Sequence, residues 1–261
     1  MLRRGKIVAA LALALMLSLA LSHHAPSVEA SMHGVSASAP FHSSPSFPEA
    51  SSLSVRGGGN LPRLSPRAEK HRPTGSASAT VALTFDDGPE PLFTPLVLRV
   101  LQQYGVHATF FCLGEQVQMY PATVRQTAQE GNVIGNHTWS HLTLTLLPPV
   151  TIRQQLSTTS AAIAQATGVA PRLVRPPDGA TNATVSSIEA QLGLVQVLWT
   201  LDTEDWQHPG VAAMVNTVLT HARNGSIILM HDGGGDRSQT VQALPLIISG
   251  LEQRGFTFTT L

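Results

Sequence analysis

The region 80–261 contains no lysine, since Lys6 and Lys70 are the only lysines of this 261-residue chain. That absence excludes enzymes that form a Schiff base and phosphate-binding P-loops. The region also carries more acidic than basic side chains, and no glycine-rich dinucleotide fingerprint follows its apolar segments. This composition argues against a nucleic-acid partner or a nucleotide cofactor.

Cysteine is equally scarce, because Cys112 is the only one in the chain. A single cysteine excludes an intramolecular disulfide and a zinc site made of several cysteines. Cys112 lies in the apolar stretch 109–113, which predicts a buried side chain. The folded region must therefore rely on apolar packing.

The first 79 residues predict two parts that precede the folded domain. Residues 1–30 have a basic start, an apolar run at 7–21 that is short for a membrane span, and small residues before Ser31. This pattern is typical of an export signal cleaved near Ala30, and a retained membrane anchor is the alternative. Residues 31–79 are rich in serine and proline and lack periodicity, which predicts a disordered linker. We therefore expect a secreted or cell-wall-associated protein whose folded domain is 80–261.

Strand-like and helix-like segments alternate through 80–261, which predicts an α/β fold with parallel strands. The predicted strands are 81–85, 108–113, 132–136, 172–175, 194–201, 226–231 and 256–260. The predicted helices are 94–104, 121–130, 150–167, 183–191, 211–222 and 240–254. Seven strands are close to the eight of a closed barrel, and an open doubly wound sheet is the alternative.

Two carboxylates, Asp86 and Asp87, stand at the end of the first predicted strand, just before Gly88 and Pro89. Neighbouring side chains can take different tasks where a strand ends, so one carboxylate could hold a metal ion while the other handles a proton. The alternative is that this segment is only a turn.

Two histidines, His137 and His141, follow the third predicted strand at a spacing of four residues. In a helical turn this spacing places both rings on one face, which suits a single metal ion. Together with Asp87 they would make three ligands and leave coordination positions open, as a hydrolytic site requires.

Three later strand ends also carry charged or titratable side chains. Arg175 could orient a carboxylate or be an ordinary surface base. Asp205 belongs to a group of three acids at 202–205, which could serve a site or lie in an ordinary solvated loop. His231 ends a nearly apolar strand, where it could act as an acid or base or be a core histidine.

The motifs at these positions resemble those of the polysaccharide deacetylases of carbohydrate esterase family 4, also called the NodB-homology domain. The resemblance covers about 80–261 and follows the family's order. It implies that Asp86 is the general base. It also implies that Asp87, His137 and His141 bind a divalent metal ion, most often zinc, with cobalt or nickel as alternatives.

The remaining motifs imply roles in orientation, substrate contact and proton donation. The family's arginine, here Arg175, holds the base aspartate. Asp205 would orient the catalytic histidine, while Trp206 shapes the pocket. Leu229 would contact the acetyl methyl group, and His231 would be the general acid.

One position departs from the family pattern, because Asp178 stands where an aromatic residue is usual. The backbone N–H at this position would still donate to the oxyanion, but the added negative charge could weaken oxyanion stabilisation. The family's fold, a distorted (β/α) barrel with fewer than eight regular strands, agrees with the seven predicted strands.

The resemblance implies metal-dependent removal of N-acetyl groups from a polysaccharide that contains N-acetylglucosamine, such as peptidoglycan or chitin. Hydrolysis of O-acetyl esters on xylan and glycan binding without turnover are the two alternatives. We expect a glycan substrate and no stable protein partner.

Overall fold

A computed structural model describes residues 79–261. The predicted export signal 1–30 and linker 31–79, except for Ala79, lie outside the described residues. The strands are β1 (Thr80–Asp86), β2 (Thr109–Cys112), β3 (Val133–Asn136), β4 (Leu173–Val174), β5 (Val195–Gln196), β6 (Leu201–Asp202), β7 (Ser226–His231) and β8 (Thr257–Phe258). The α-helices are α1 (Phe93–Tyr104), α2 (Gly114–Met119), α3 (Pro121–Gln129), α4 (Pro149–Thr167), α5 (Ala183–Gln191), α6 (Val211–His221) and α7 (Ser238–Gln253).

Seven parallel strands form a curled half-barrel in the order β5-β4-β3-β2-β1-β7-β6. The short β8 pairs with the start of β1 and lies off this path. The fold is therefore the predicted distorted (β/α) barrel. No helix among the described residues is long and apolar enough to cross a membrane.

The central strand β1 is buried on both faces, because helices cover one face and the barrel interior the other. Val81, Leu83 and Phe85 point into the main apolar cluster with α1, α6 and α7. Strand alternation therefore directs Thr84 and Asp86 to the opposite face, inside the barrel.

The segment 194–201 was predicted as one strand, and this prediction was wrong. It contains β5, which pairs with β4 at one edge of the sheet, and the start of β6, which pairs with β7 at the other edge. The apolar pattern is continuous across the segment, but it carries no information about which strand each half will meet. The six predicted helices are confirmed to within about two residues at each end, while the six-residue α2 is too short to show a helical period.

Candidate metal centre and catalytic site

The side chains singled out in the sequence meet at the carboxyl end of the barrel. Asp86 ends β1 and His231 ends β7, and residue 86 is the register partner of residue 231. His137 and Arg175 directly follow β3 and β4. Because parallel strands end at the same edge of a sheet, side chains that are far apart in sequence come together there.

Asp86 is held by a buried arginine. Its Oδ1 atom accepts a hydrogen bond of 2.8 Å from Nη1 of Arg175, and the same nitrogen lies 2.9 Å from Thr84 Oγ1. The guanidinium of Arg175 is fully buried, and its Cζ atom lies 4.2 Å from the ring centroid of Phe111. Burial lowers the pKa of Arg175, and the negative charge of Asp86 opposes this shift. Arg175 is therefore a buried partner of Asp86 and not a surface base.

Arg175 also spans the open edge of the barrel. It donates from Nε to the carbonyl oxygen of Val197 at 3.2 Å and from Nη2 to that of Leu198 at 3.3 Å. These two carbonyl groups lie between β5 and β6, where the chain passes from one sheet edge to the other. The guanidinium of Arg175 thus links the segment between β5 and β6 to Asp86 through hydrogen bonds.

The backbone turns away from the path of β1 at Asp87, whose φ angle of 73° lies in the left-handed region. Its Oδ1 atom lies 3.5 Å from Nε2 of both His137 and His141. That oxygen is buried and has no hydrogen-bond partner in the described structure. Burial alone would raise the pKa of Asp87, but the nearby His137 imidazole and the charges of the surrounding histidines outweigh it and lower the pKa to about 2. The carboxylate is therefore ionised at neutral pH.

The first histidine of the pair is oriented by the backbone. His137 is buried, and its Nδ1 atom lies 2.7 Å from the carbonyl oxygen of Arg175, so Nδ1–H donates and Nε2 faces Asp87. Burial lowers the pKa of His137, but the charges of Asp86 and Asp87 outweigh it, so the pKa is raised. The same negative field that favours a proton at this position also attracts a metal cation.

His137 and His141 do converge, but the predicted helical turn is wrong. Residues 137–143 form a loop in which Thr138 and His141 have φ angles of 72° and 56°. The loop is fixed by side chains of other elements, since Asn136 Oδ1 accepts from the N–H of Thr138 and Gln155 Oε1 accepts from the two N–H groups of residues 139 and 140. The two rings lie 5.1 Å apart, between centroids.

These three residues fit a single divalent ion. One ligand atom from each of Asp87, His137 and His141 lies within 4.8 Å of the others. A carboxylate and two imidazoles suit zinc, cobalt or nickel and leave positions open. Coordination would also give a partner to the buried Oδ1 atom of Asp87.

A second histidine–carboxylate pair lies beside this group. Nδ1 of His231 is 2.7 Å from Oδ1 of Asp205, and Oδ2 of Asp205 accepts from the His231 N–H and from Thr240 Oγ1, both at 2.8 Å. Burial opposes the charge on each partner, but their mutual attraction outweighs it, so the pKa of His231 is raised and that of Asp205 is lowered. The pair therefore favours the protonated form of the ring, as a general acid requires.

Three further predicted residues belong to the segments at the carboxyl ends of β4, β6 and β7. Asp178 is exposed, with a φ angle of 58°, and its Oδ2 atom accepts a 3.4 Å hydrogen bond from Thr143 Oγ1. Trp206 follows Asp205 and is half exposed, while Leu229 is buried on the same face of β7 as His231.

Sequence reasoning assigned no role to the segment that follows His231. Asp232 is buried and accepts a 2.5 Å hydrogen bond from Thr94 Oγ1, and burial together with the charges of Asp86 and Asp87 raises its pKa to about 7. Gly233, Gly234 and Gly235 follow, and the first two pass directly beside Asp87. Three consecutive glycines after a strand that ends in His-Asp are the signal that could have identified this segment.

Comparison with known proteins gives one consistent family. Residues 75–197 match the family model described as polysaccharide deacetylase. The chain is 42% identical over 182 residues to a peptidoglycan-N-acetylglucosamine deacetylase of Bacillus cereus, covering 69% of this chain and 85% of that protein. It is also 42% identical over 193 residues to a chitooligosaccharide deacetylase of a Bradyrhizobium species, covering 69% and 88%.

A solved structure agrees with this result. The family 4 carbohydrate esterase from Streptomyces lividans in complex with acetate matches 70% of this chain and 93% of that chain, with a TM-score of 0.66 and 38% identity. The chain therefore belongs to the polysaccharide deacetylase family, the family 4 carbohydrate esterases with the NodB-homology domain.

Proposed function

We propose that this protein is a metal-dependent deacetylase that removes N-acetyl groups from N-acetylglucosamine units of a polysaccharide and releases acetate. The observation that carries the proposal is the placement of two separate acid–base pairs beside one Asp-His-His group. Asp86 is paired with Arg175, and His231 is paired with Asp205. Peptidoglycan and chitin-like oligomers are the proposed substrates, because the named relatives are deacetylases of these glycans.

Asp87, His137 and His141 would hold the metal ion, for which we propose zinc, with cobalt and nickel as alternatives. The bound ion would polarise the acetyl carbonyl and favour ionisation of the attacking water. Arg175 occupies Oδ1 of Asp86, so Oδ2 is the oxygen that is left to accept a proton from that water.

The C–N bond breaks as the water oxygen becomes part of acetate and the amine leaves. His231 would donate the proton that this amine requires, because Asp205 favours the protonated ring and holds Nδ1. Only Nε2 of the ring is then left to give up a proton. The reaction yields acetate and a free amino sugar.

The substrate pocket would be completed by residues that do not transfer protons. We propose that the backbone N–H at Asp178 donates to the developing oxyanion. Leu229 would contact the acetyl methyl group, and Trp206 would form an apolar wall for the sugar.

The proposal is tested by acetate release from the purified full-length chain. Chelated protein should be inactive on N-acetylglucosamine oligomers, and zinc or cobalt should restore release, while acetylated xylan should be a poorer substrate. Faster release from xylan would instead establish an O-acetyl esterase. Glycan binding with no acetate release from either substrate would establish a non-catalytic binding protein.

Export is a separate proposal that depends on residues 1–30. We propose that the protein reaches the cell exterior and is secreted or retained at the wall. Cell fractionation and the amino-terminal sequence of the mature protein test this, with a new terminus near Ser31 as the expected result. An unprocessed protein in the membrane fraction would favour an anchor.

A further inference from the structure

The three glycines after Asp232, Gly233 to Gly235, form a loop that packs against the proposed metal ligand Asp87; we call 233–235 the glycine loop. A Cβ atom at Gly233 would lie 2.4 Å from the carbonyl oxygen of Asp87, and one at Gly234 would lie 2.6 Å from its Oδ2 atom. Real Cβ atoms do not approach oxygen this closely. The loop therefore touches both the backbone and the carboxylate of Asp87, and only glycine permits that approach.

A buried arginine holds this loop. Arg237 is 4% exposed, and it donates from Nε to the Gly233 carbonyl oxygen at 2.7 Å and from Nη2 to the Gly234 carbonyl oxygen at 3.0 Å. None of the ion pairs found within 79–261 includes Arg237. Its buried guanidinium is therefore compensated by loop carbonyl groups and not by a carboxylate.

Asp87 needs such support because its own conformation is unfavourable. A left-handed φ angle of 73° costs free energy for a non-glycine residue, so the surrounding structure must hold it. The Oδ1 atom of Asp87 is directed at the two histidines, whereas Oδ2 faces Gly234. The glycine loop thus packs against the Oδ2 side of the Asp87 carboxylate and limits its rotation.

We propose that Arg237 and the glycine loop are a positioning element that sets the orientation of the Asp87 carboxylate and thereby the affinity of the site for its metal ion. The inference rests on the proposed function in one respect, namely that Asp87 is a metal ligand. Arg237 itself need not touch the substrate or the ion.

The glycine loop offers a matched pair of substitutions. Gly234 and Gly235 both have positive φ angles, so alanine strains the backbone at either position. Only the Gly234→Ala side chain collides with Asp87, because the nearest atom to a Cβ at Gly235 is Nη2 of Arg237, at 3.8 Å. Affinities of the full-length variants for Zn²⁺ and Co²⁺ are measured by competition with a chromophoric chelator, and the visible absorption of the Co²⁺ form is recorded.

We expect Gly234→Ala to lose about 10–100-fold in affinity and to change the Co²⁺ spectrum. Gly235→Ala should stay near wild type in both measurements, and the melting temperatures of both variants are recorded to separate general backbone strain from an effect on the metal site. Equal affinities and spectra for the two variants would overturn the proposal.

Substitution of Arg237 is the second test. Arg237→Gln should weaken Co²⁺ binding and alter its spectrum, and Arg237→Lys should recover part of the affinity, because lysine can still donate to loop carbonyl groups. A wild-type spectrum and affinity in Arg237→Gln would contradict the proposed role. If the glycine variants or the Arg237 variants fail to fold, the remaining set tests the proposal.

A parallel Asp87→Ala variant separates this inference from the proposed function. If Asp87→Ala binds Co²⁺ as tightly as wild type, the ligand assignment fails, and with it the metal site of the proposed function. If Asp87→Ala loses the ion while Gly234→Ala and Gly235→Ala behave alike, only the role of the loop fails.

Discussion

Asp86 and Asp87 are neighbours in the chain but lie in different surroundings, because β1 ends between them. Asp86 keeps strand geometry and reaches Arg175, whereas Asp87 turns away with a positive φ angle and reaches the two histidines. We expect Asp86→Asn to bind zinc normally while kcat falls by about 10²–10⁴-fold, since the change removes the proposed proton acceptor and none of the proposed metal ligands. Acetate release and metal content are the measurements.

Asp87→Asn is the matched control, because the same chemical change at the next residue should reduce metal content. If Asp86→Asn instead loses the metal while Asp87→Asn keeps it, the two roles are exchanged.

His231 should set the alkaline limb of the pH–rate profile. Burial lowers the pKa of His231, but the attraction of Asp205 outweighs it and raises the pKa, so we expect activity to fall at a higher pH than for an ordinary histidine, when the ring loses its proton. In Asp205→Asn the imidazolium loses this attraction, so the alkaline limb should move to lower pH. The profile of kcat/KM from pH 5 to 10 measures the shift.

Thr240→Val serves as a control, because it removes one hydrogen bond to Asp205 and keeps the carboxylate. An Asp205→Asn profile that coincides with wild type would contradict the assignment of His231 as the acid.

Substitution of Asp178 tests how a negative charge beside the proposed oxyanion position affects catalysis. Asparagine also tolerates a left-handed φ angle and can accept from Thr143, so Asp178→Asn removes little besides the charge. We expect kcat on N-acetylglucosamine oligomers to rise several-fold, because an oxyanion is stabilised better without a nearby anion.

Glu252→Gln is the charge-matched control, because it removes one exposed acid at the carboxyl end of α7, on the opposite side of the barrel from the site. If Asp178→Asn and Glu252→Gln raise kcat equally, the effect comes from net charge and not from the position of Asp178.

At the scale of elements, α5 carries a buried acid that the proposed mechanism does not use. Glu189 is 1% exposed, neither carboxylate oxygen has a hydrogen-bond partner in the described structure, and burial raises its pKa to about 7. The folded state thus holds this proton more strongly than the unfolded state, whose pKa is near 4.5. Stability contributed by the neutral acid should be present below pH 4.5 and be lost as the pH rises to about 7 and above.

We expect Glu189→Gln to be more stable than wild type at pH 8, by an amount on the order of 3 kcal/mol at most, and to show little difference at pH 4. Urea unfolding of both proteins at the two pH values provides the comparison, and Glu252→Gln controls for the loss of an exposed acid. A stability gain that is the same at pH 4 and pH 8 would show that Glu189 is not held neutral.

At the scale of the whole molecule, metal binding should stabilise the fold, because Asp87, His137 and His141 come from segments that meet only when the barrel forms. Zinc at 100 times its Kd contributes about 2.7 kcal/mol, which corresponds to a rise in Tm of roughly 5–11 °C for a domain of this size. Calorimetry of the chelated and zinc-loaded full chain measures the shift. The Tm of Asp87→Ala should not respond to zinc, and an equal rise in that variant would place the stabilising ion elsewhere.

Most of the order of the elements, and the barrel edge at which the candidate site residues meet, could be predicted from the sequence. Alternating strand and helix periods indicated parallel strands, whose carboxyl ends share one edge, so Asp86, His137, Arg175 and His231 were expected to meet. Periodicity and strand-end position are local properties, and for that reason they can be read without coordinates. The convergence of His137 and His141 was predicted correctly, but the helical turn that was expected to bring them together is a loop.

Only the tertiary structure decided which strands pair and what holds the ligands. The division of 194–201 between two sheet edges depends on partners supplied by β4 and β7, which no local pattern specifies. The burial of Arg175 and the contact of the glycine loop with Asp87 likewise join segments far apart in the chain. The sequence alone determined the chemical groups and the barrel edge at which they meet, because these follow from residue type and strand order. Their orientations depend on long-range packing, which exists only in the folded chain.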